Sequence, residues 1–229
     1  MLDSLIDMKS IVVATCLAIV TLALGATPVS AGKAQHKQPA KCGTGHGRVI
    51  AADTQAQLYI ASNIEEYFIV YGCVYGHRGS YKLGYFPSDG TCSSSGCLDI
   101  HRETLAGMIV AYEYSASNVE EFTWLVVVRD LRTGRVLHKI PTGTPVPPNP
   151  LLVGTGSTVV IVVKTDGSVA WIVEYPVGPE TTKYEVHALD KTGNRVLASG
   201  TDIGPHSLAL AGSTLYWTQG GKSFSTKLN

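Results

Sequence analysis

The apolar residues of this chain gather in short unbroken runs, among them Trp124 to Val128, Thr158 to Val163 and Val169 to Val173. A strand covered on one face alternates apolar and polar residues with period two. Unbroken runs instead predict strands buried on both faces. Turn signals punctuate them. Asp53-Thr54, Gly107, Asp166-Gly167 and Gly212-Ser213 each sit between two apolar runs, where hairpin tips belong. The resulting unit reads strand, tight turn, strand, longer loop, strand, tight turn, strand.

That unit repeats. Tyr59-Ile-Ala-Ser-Asn-Ile-Glu-Glu-Tyr67 returns 55 residues later as Tyr114-Ser-Ala-Ser-Asn-Val-Glu-Glu-Phe122, with six positions identical. Gly79 and Gly134 keep the same offset, and Gly193 marks a third copy. Sheets stacked face to face around an axis bury their strands on both sides, so the expected fold is all-β and β-propeller-like. About four blades of four-stranded antiparallel sheet would fill residues 42–229 at roughly 45–60 residues each. A β-sandwich is the competing architecture, since regular strand spacing permits it too. The fourth blade, Pro205 to Asn229, has a first hairpin and a third strand (Lys222 to Leu228) and then stops. A strand from the N-terminal side, Gly47 to Ala52, is expected to complete it.

Val128-Arg-Asp-Leu-Arg-Thr-Gly134 and Ala188-Leu-Asp-Lys-Thr-Gly193 both place an aspartate shortly before Thr-Gly. In this the chain resembles exported β-propeller-like repeat proteins of the quinoprotein (PQQ-like) type from actinobacteria. The resemblance implies a propeller with these segments as outer hairpins. It does not extend to the docking tryptophan that such blades carry after Thr-Gly, where His138 or Leu197 stands here. Nor is the chain long enough for the ring that cradles the quinone, so no cofactor is expected. Locally, Asp and Thr side chains bond turn backbone groups and Gly supplies a positive φ.

Composition adds a destination. Ile11 to Ala26 is apolar and uncharged and runs into Val29-Ser30-Ala31, the layout of a cleaved secretory signal. Residues 1–31 are expected to be a signal peptide cut after Ala31, residues 32–41 a disordered mature N-terminus, and the product secreted without a stable membrane anchor. Asp3 and Asp7 stand where basic residues are usual, whereas Met8-Lys9-Ser10 would give an ordinary start. A transmembrane anchor, the competing reading, needs about 20 apolar residues. With 18 basic and 18 acidic residues the chain has no basic field, which excludes nucleic acid as an expected partner.

Cleavage would leave Cys42, Cys73, Cys92 and Cys97, an even number that reads as two disulfides in an exported chain. The short loop Cys92-Ser-Ser-Ser-Gly-Cys97 favours the pairs Cys92–Cys97 and Cys42–Cys73. A zinc site competes, but paired CxxC spacing and neighbouring histidines are missing.

Motifs for chemistry are scarce. There is no G-x-S-x-G elbow, His101-Arg-Glu103 lacks the second histidine of HExxH, and no calcium, dinucleotide or phosphate loop occurs. No catalytic or metal-ligating residue is therefore assigned, and a binding module is the expected function. Two features offer surfaces. The duplicated loops bring Asn63, Glu65 and Glu66, and Asn118, Glu120 and Glu121, to one face, where they could meet a cation or sugar hydroxyls; a solvated turn is the bland alternative. Tyr71 and Tyr75 belong to a tyrosine stripe with Tyr67, expected to pack between blades or else to form a ligand platform. Trp124, Trp171 and Trp217 sit in apolar strands and are expected in the core. The partner expected is a protein, peptide or glycan outside the cell, with self-association through the unfinished blade. The alternative is a small hydrolase or lyase with its site at the central mouth.

Overall fold

Local pattern becomes strand throughout the computed structural model, which describes residues 42, 47–62, 67–77, 79–87, 97–117, 122–143, 152–153, 156–177 and 179–229. All lie in the compact unit Gln38–Asn229. Among them there is no helix, and hence none long and apolar enough to cross a membrane. The duplicated loops and Cys92 lie outside the described residues, as does the whole stretch read as a signal peptide and disordered N-terminus.

Strands β1 (Arg48–Ala52), β2 (Ala56–Ser62), β3 (Tyr67–Val74) and β4 (Tyr81–Pro87) pair in order as an antiparallel meander. A second meander follows with β5 (Cys97–Ala106), β6 (Ile109–Ser117), β7 (Phe122–Asp130) and β8 (Val136–Pro141). One parallel bridge, Tyr85 to Asp99, joins these first and second sheets into one nine-stranded mixed sheet, in which the short β9 (Leu152–Val153) pairs parallel with β7. A third meander comprises β10 (Ser157–Val163), β11 (Val169–Pro176), β12 (Thr182–Asp190) and β13 (Gly193–Gly200). The last has three strands, β14 (Ala209–Ala211), β15 (Thr214–Gln219) and β16 (Lys222–Lys227).

One expectation fails here. The N-terminal strand does not complete the last sheet: β1 pairs with β2 through Val49–Tyr59 and Ala52–Gln57 and so belongs to the first. The short hairpin tip at residues 53–55 sets β1 directly beside β2.

Three apolar layers account for the unbroken runs. Leu58 and Val70 of the first meander share a layer with Ile100, Val110, Leu125 and Val127 of the second. On the other side of the second meander, Ala111, Val126 and Val128 join Ile161, Val163 and Trp171 of the third. Ala170, Ile172 and Val186 then meet Leu208, Leu215 and Trp217 of the last. Successive residues of one strand thus enter opposite layers, as Val126 and Val127 do. Burying each of the larger of these side chains is worth about 1.5–3 kcal/mol.

The first strands of successive sheets also lie against one another, β1 by β5, β5 by β10 and β10 by β14. Their hairpin tips meet as well, with Gly107 beside Thr165 of the third sheet and Gln55 of the first. The repeat extends to irregularities in pairing, which recur at Val70/Tyr71, Val128/Arg129 and Val186/His187.

The Asp and Thr-Gly turns behave as local chemistry requires. Asp130 Oδ1 accepts from the Arg132 N–H at 2.7 Å, and Asp190 Oδ1 from the Thr192 N–H at 2.8 Å. Gly134 and Gly193 take φ values of +73° and +105°. Asp190 also receives both guanidinium nitrogens of Arg195, at 2.7 and 2.9 Å, and the Asn229 N–H at 2.8 Å. It thereby ties Asn229 to the third sheet.

Candidate functional site

Strand β5 carries an irregularity that prepares a site. His101 faces Glu113 and Thr104 faces Ala111, so Arg102 and Glu103 together oppose the single residue Tyr112. This β-bulge turns Arg102 to φ +58°, and among the described residues it is the one non-glycine with positive φ. Glycine normally fills such a position, and a side chain there costs about 1–2 kcal/mol. The cross-strand pairing on both sides of the bulge holds it in place. Strand β10 has a bulge of its own: Thr158 faces Val173 and Val160 faces Ile172, leaving Val159 over.

Between these strands lies a cleft of about 500 Å³. It is lined by His101, Arg102 and Glu103 of β5, Glu113 and Ser115 of β6, Trp124 of β7, and Ser157 and Thr158 of β10. Its origin is visible in the strand pattern. On β6, Ile109 and Ala111 feed the second apolar layer, and Glu113 and Ser115 continue the same face as polar residues. On β7 the sequence Val128, Val126, Trp124 runs out of the same layer to a half-buried indole. The cleft is where the apolar layer between the second and third sheets gives way to polar side chains.

The polar groups are tied across the gap. The buried Glu113 carboxylate accepts from the backbone N–H of Thr158, and Arg102 Nε donates to the backbone oxygen of Thr158 at 3.3 Å. One strand residue is therefore gripped at both backbone groups. The Thr158 hydroxyl is itself buried and has no hydrogen-bond partner among the described residues. An unpaired buried hydroxyl costs about 1–3 kcal/mol. Burial pushes the Glu103 carboxyl above the usual carboxylate range, opposed by its own backbone N–H, His101 and Arg102. Asp99, next along β5 on the His101 face, is raised by burial in the same way and opposed by His101.

The cleft thus combines donors (Arg102, Ser115, Ser157), carboxylates (Glu103, Glu113), an imidazole and an indole face. Sugar hydroxyls donate and accept at once, and the C–H face of a sugar ring stacks on an indole, so this set suits a saccharide. Among the described residues no group of three or more His, Cys, Asp or Glu is arranged to hold a metal ion.

No family model, curated protein or solved structure matches this chain.

Of the residues expected to bind, Asn63, Glu65, Glu66, Asn118, Glu120 and Glu121 lie outside the described residues. Their flanking strands do place both loops between the second and third strands of successive sheets. Tyr71 neighbours Val70 of the first apolar layer on β3 and so points away from that layer, half-buried and stacked on Tyr59 at 5.5 Å. Tyr75 lies past the end of β3, and its hydroxyl donates to Gln57 Oε1 at 3.5 Å. Neither lines the cleft. Trp171 and Trp217 are core residues, but Trp124 is not, because its end of β7 has outrun the apolar layer.

His101-Arg-Glu103 escapes sequence reasoning when it is judged only as a fragment of a zinc motif. The legible signal is the alternation Ile109, Ala111, Glu113, Ser115, one face of a strand turning from apolar to polar.

Proposed function

We propose that the chain is an exported, non-catalytic binding module of propeller-like build, with a glycan seated in the cleft between its second and third sheets. The stacked meanders, their adjoining first strands and the recurring pairing irregularities support the propeller reading, with the three-stranded last sheet as an incomplete blade. The observation that carries the function is Arg102, an arginine held at positive φ in a bulge on the wall of a polar cleft. Strain of this kind persists where a site over-determines it.

A glycan array probed with the labelled chain tests this reading, followed by titration of the best-bound saccharide with tryptophan fluorescence as readout. Saturable binding that is lost in Trp124→Ala and in Arg102→Gly supports it. Silence across the array, or binding indifferent to both substitutions, overturns it.

A second reading rests on His101 standing directly across from Glu113 beside the raised carboxyl of Glu103. An imidazole and two carboxylates in one cleft are the parts of a small hydrolase or lyase. Shortened products of the bound saccharide in mass spectra would favour it.

Among the described strands β16 pairs only with β15. A second copy of the chain is the proposed partner for that edge. A concentration-independent monomer in sedimentation velocity would remove this part of the reading.

A further inference from the structure

Cys42 and Cys73 are far apart in the chain and side by side in the fold. Cys73 sits on β3 directly opposite Gln57 of β2, and the Gln57 side-chain amide donates to the backbone oxygen of Cys42 at 3.1 Å. That bond pins Cys42 onto the first sheet. Both cysteines are buried and are free thiols here rather than the disulfide expected of them, and their side chains neighbour each other. Cys73 adjoins Gly72, which packs on Leu58 and Leu131 in the first apolar layer, so the thiol pair lies on the opposite face of the sheet.

We infer that Cys42 and Cys73 are the two halves of a disulfide, closed by thiol–disulfide exchange with a carrier in its oxidised, disulfide form while the first sheet assembles. Among the described residues no third metal ligand joins them. Two buried thiols beside one amide gain little from each other as thiols, whereas a bond would tether Cys42 to β3.

The exchange balances. The thiolate of one cysteine attacks the carrier's disulfide, displaces one carrier thiolate and forms a mixed disulfide. The second cysteine, losing its proton, attacks the sulfur of the first and releases the carrier as a dithiol. The chain gives up two protons and two electrons, and the carrier's disulfide is reduced by them.

Timing follows from the surroundings. In the folded sheet both cysteines are buried out of a carrier's reach, and burial raises the pKa of each thiol. Exchange therefore occurs before β3 closes over Cys42, and a chain folded under reducing conditions stays reduced afterwards. This inference does not depend on the cleft or its ligand.

The test compares the full-length chain expressed with export to an oxidising compartment and the same chain made in a reducing one. Non-reducing peptide mapping of the exported protein is expected to give a Cys42–Cys73 cross-linked peptide, lighter by two hydrogens than its parts and lost on reduction. Cys42→Ser, Cys73→Ser and the double variant are expected to lower the melting temperature by about the same amount, on the order of 10 °C for a loop of this length. Full alkylation of both cysteines in the denatured exported protein overturns the inference. So does a link from either one to Cys92 or Cys97. The peptide map decides even where a serine variant fails to fold.

Discussion

Arg102 Nε, on the first strand of the second sheet, donates to the backbone oxygen of Thr158 on the first strand of the third at 3.3 Å. The residue that makes this contact is also the one non-glycine with positive φ among the described residues. Stability and function should therefore separate at this position. Arg102→Gly relieves about 1–2 kcal/mol of backbone strain and loses one hydrogen bond worth about 1 kcal/mol, so its unfolding midpoint should hold or rise slightly. Saccharide binding should nonetheless fall at least tenfold. Denaturant melts and fluorescence titration on the same preparation check both halves, and a marked loss of stability would contradict the strain.

Close approach of the first two sheets should be as sensitive to one methyl group. Gly84 of β4 faces Ile100 of β5, and an added Cβ would fall inside contact distance of the isoleucine side chain. Ile100 is fully buried in the first apolar layer and cannot retreat. Gly84→Ala should cost about 1–3 kcal/mol in urea unfolding through overpacking. Gly84→Ala combined with Ile100→Val should recover part of that loss, because the cavity and the methyl lie at one place.

The third sheet contains a buried polar group that should be costly to break. Glu185 accepts from the Tyr175 hydroxyl at 2.9 Å and from Lys183 at 3.0 Å, and its Oε2 lies 3.0 Å from His187 Nε2. The imidazole in turn stacks on Trp171 at 5.2 Å. Glu185→Ala leaves these partners without their acceptor and should destabilise by about 3 kcal/mol. Glu185→Gln, which keeps an acceptor, should lose less in the same thermal or denaturant melt.

Burial lowers the His187 pKa from its ordinary 6.5, against the opposing pull of Glu185. The unfolded chain then binds more protons than the folded one between the two values, so stability rises with pH through that window. It should be complete above about pH 6.5 and decline as pH falls below. His187→Gln should remove that component from a series of melts taken from neutral to mildly acidic pH.

Asp190 predicts a second, more acidic transition. The Arg195 guanidinium holds its carboxyl far below the usual range, helped by the hydroxyl of Thr192 and by the N–H groups of Asn229 and Thr192. A depressed carboxyl contributes stability that is present above the unfolded value, near 3.8, and is lost as pH falls toward the folded one. Asp190→Asn should flatten the stability profile below about pH 4 while leaving the His187 component in place.

How much of this is legible in the sequence depends on how far apart the determinants lie. Gly107, Gly167 and Gly212 mark their hairpins from sequence alone because a tight turn is decided by two or three residues. The aspartates before Thr-Gly are legible for the same reason, since Asp130 and Asp190 bond backbone two residues on. Trp124 misleads because a run of apolar neighbours says nothing about where a layer ends. The Arg102 bulge is invisible because the offset appears only when β5 and β6 are laid in register.

By itself the sequence determined strand, turn and repeat, and from runs such as Val126–Val128 it determined that strands would be covered on both faces. These follow from backbone sterics and from an apolar pattern that water penalises wherever it is exposed. Only the tertiary structure decided that β1 belongs to the first sheet and that Glu113 reaches Thr158 across a cleft. The last of these spans 45 positions of chain. Such contacts depend on which faces stack, and stacking is settled by the packing of whole sheets rather than by any local stretch of chain.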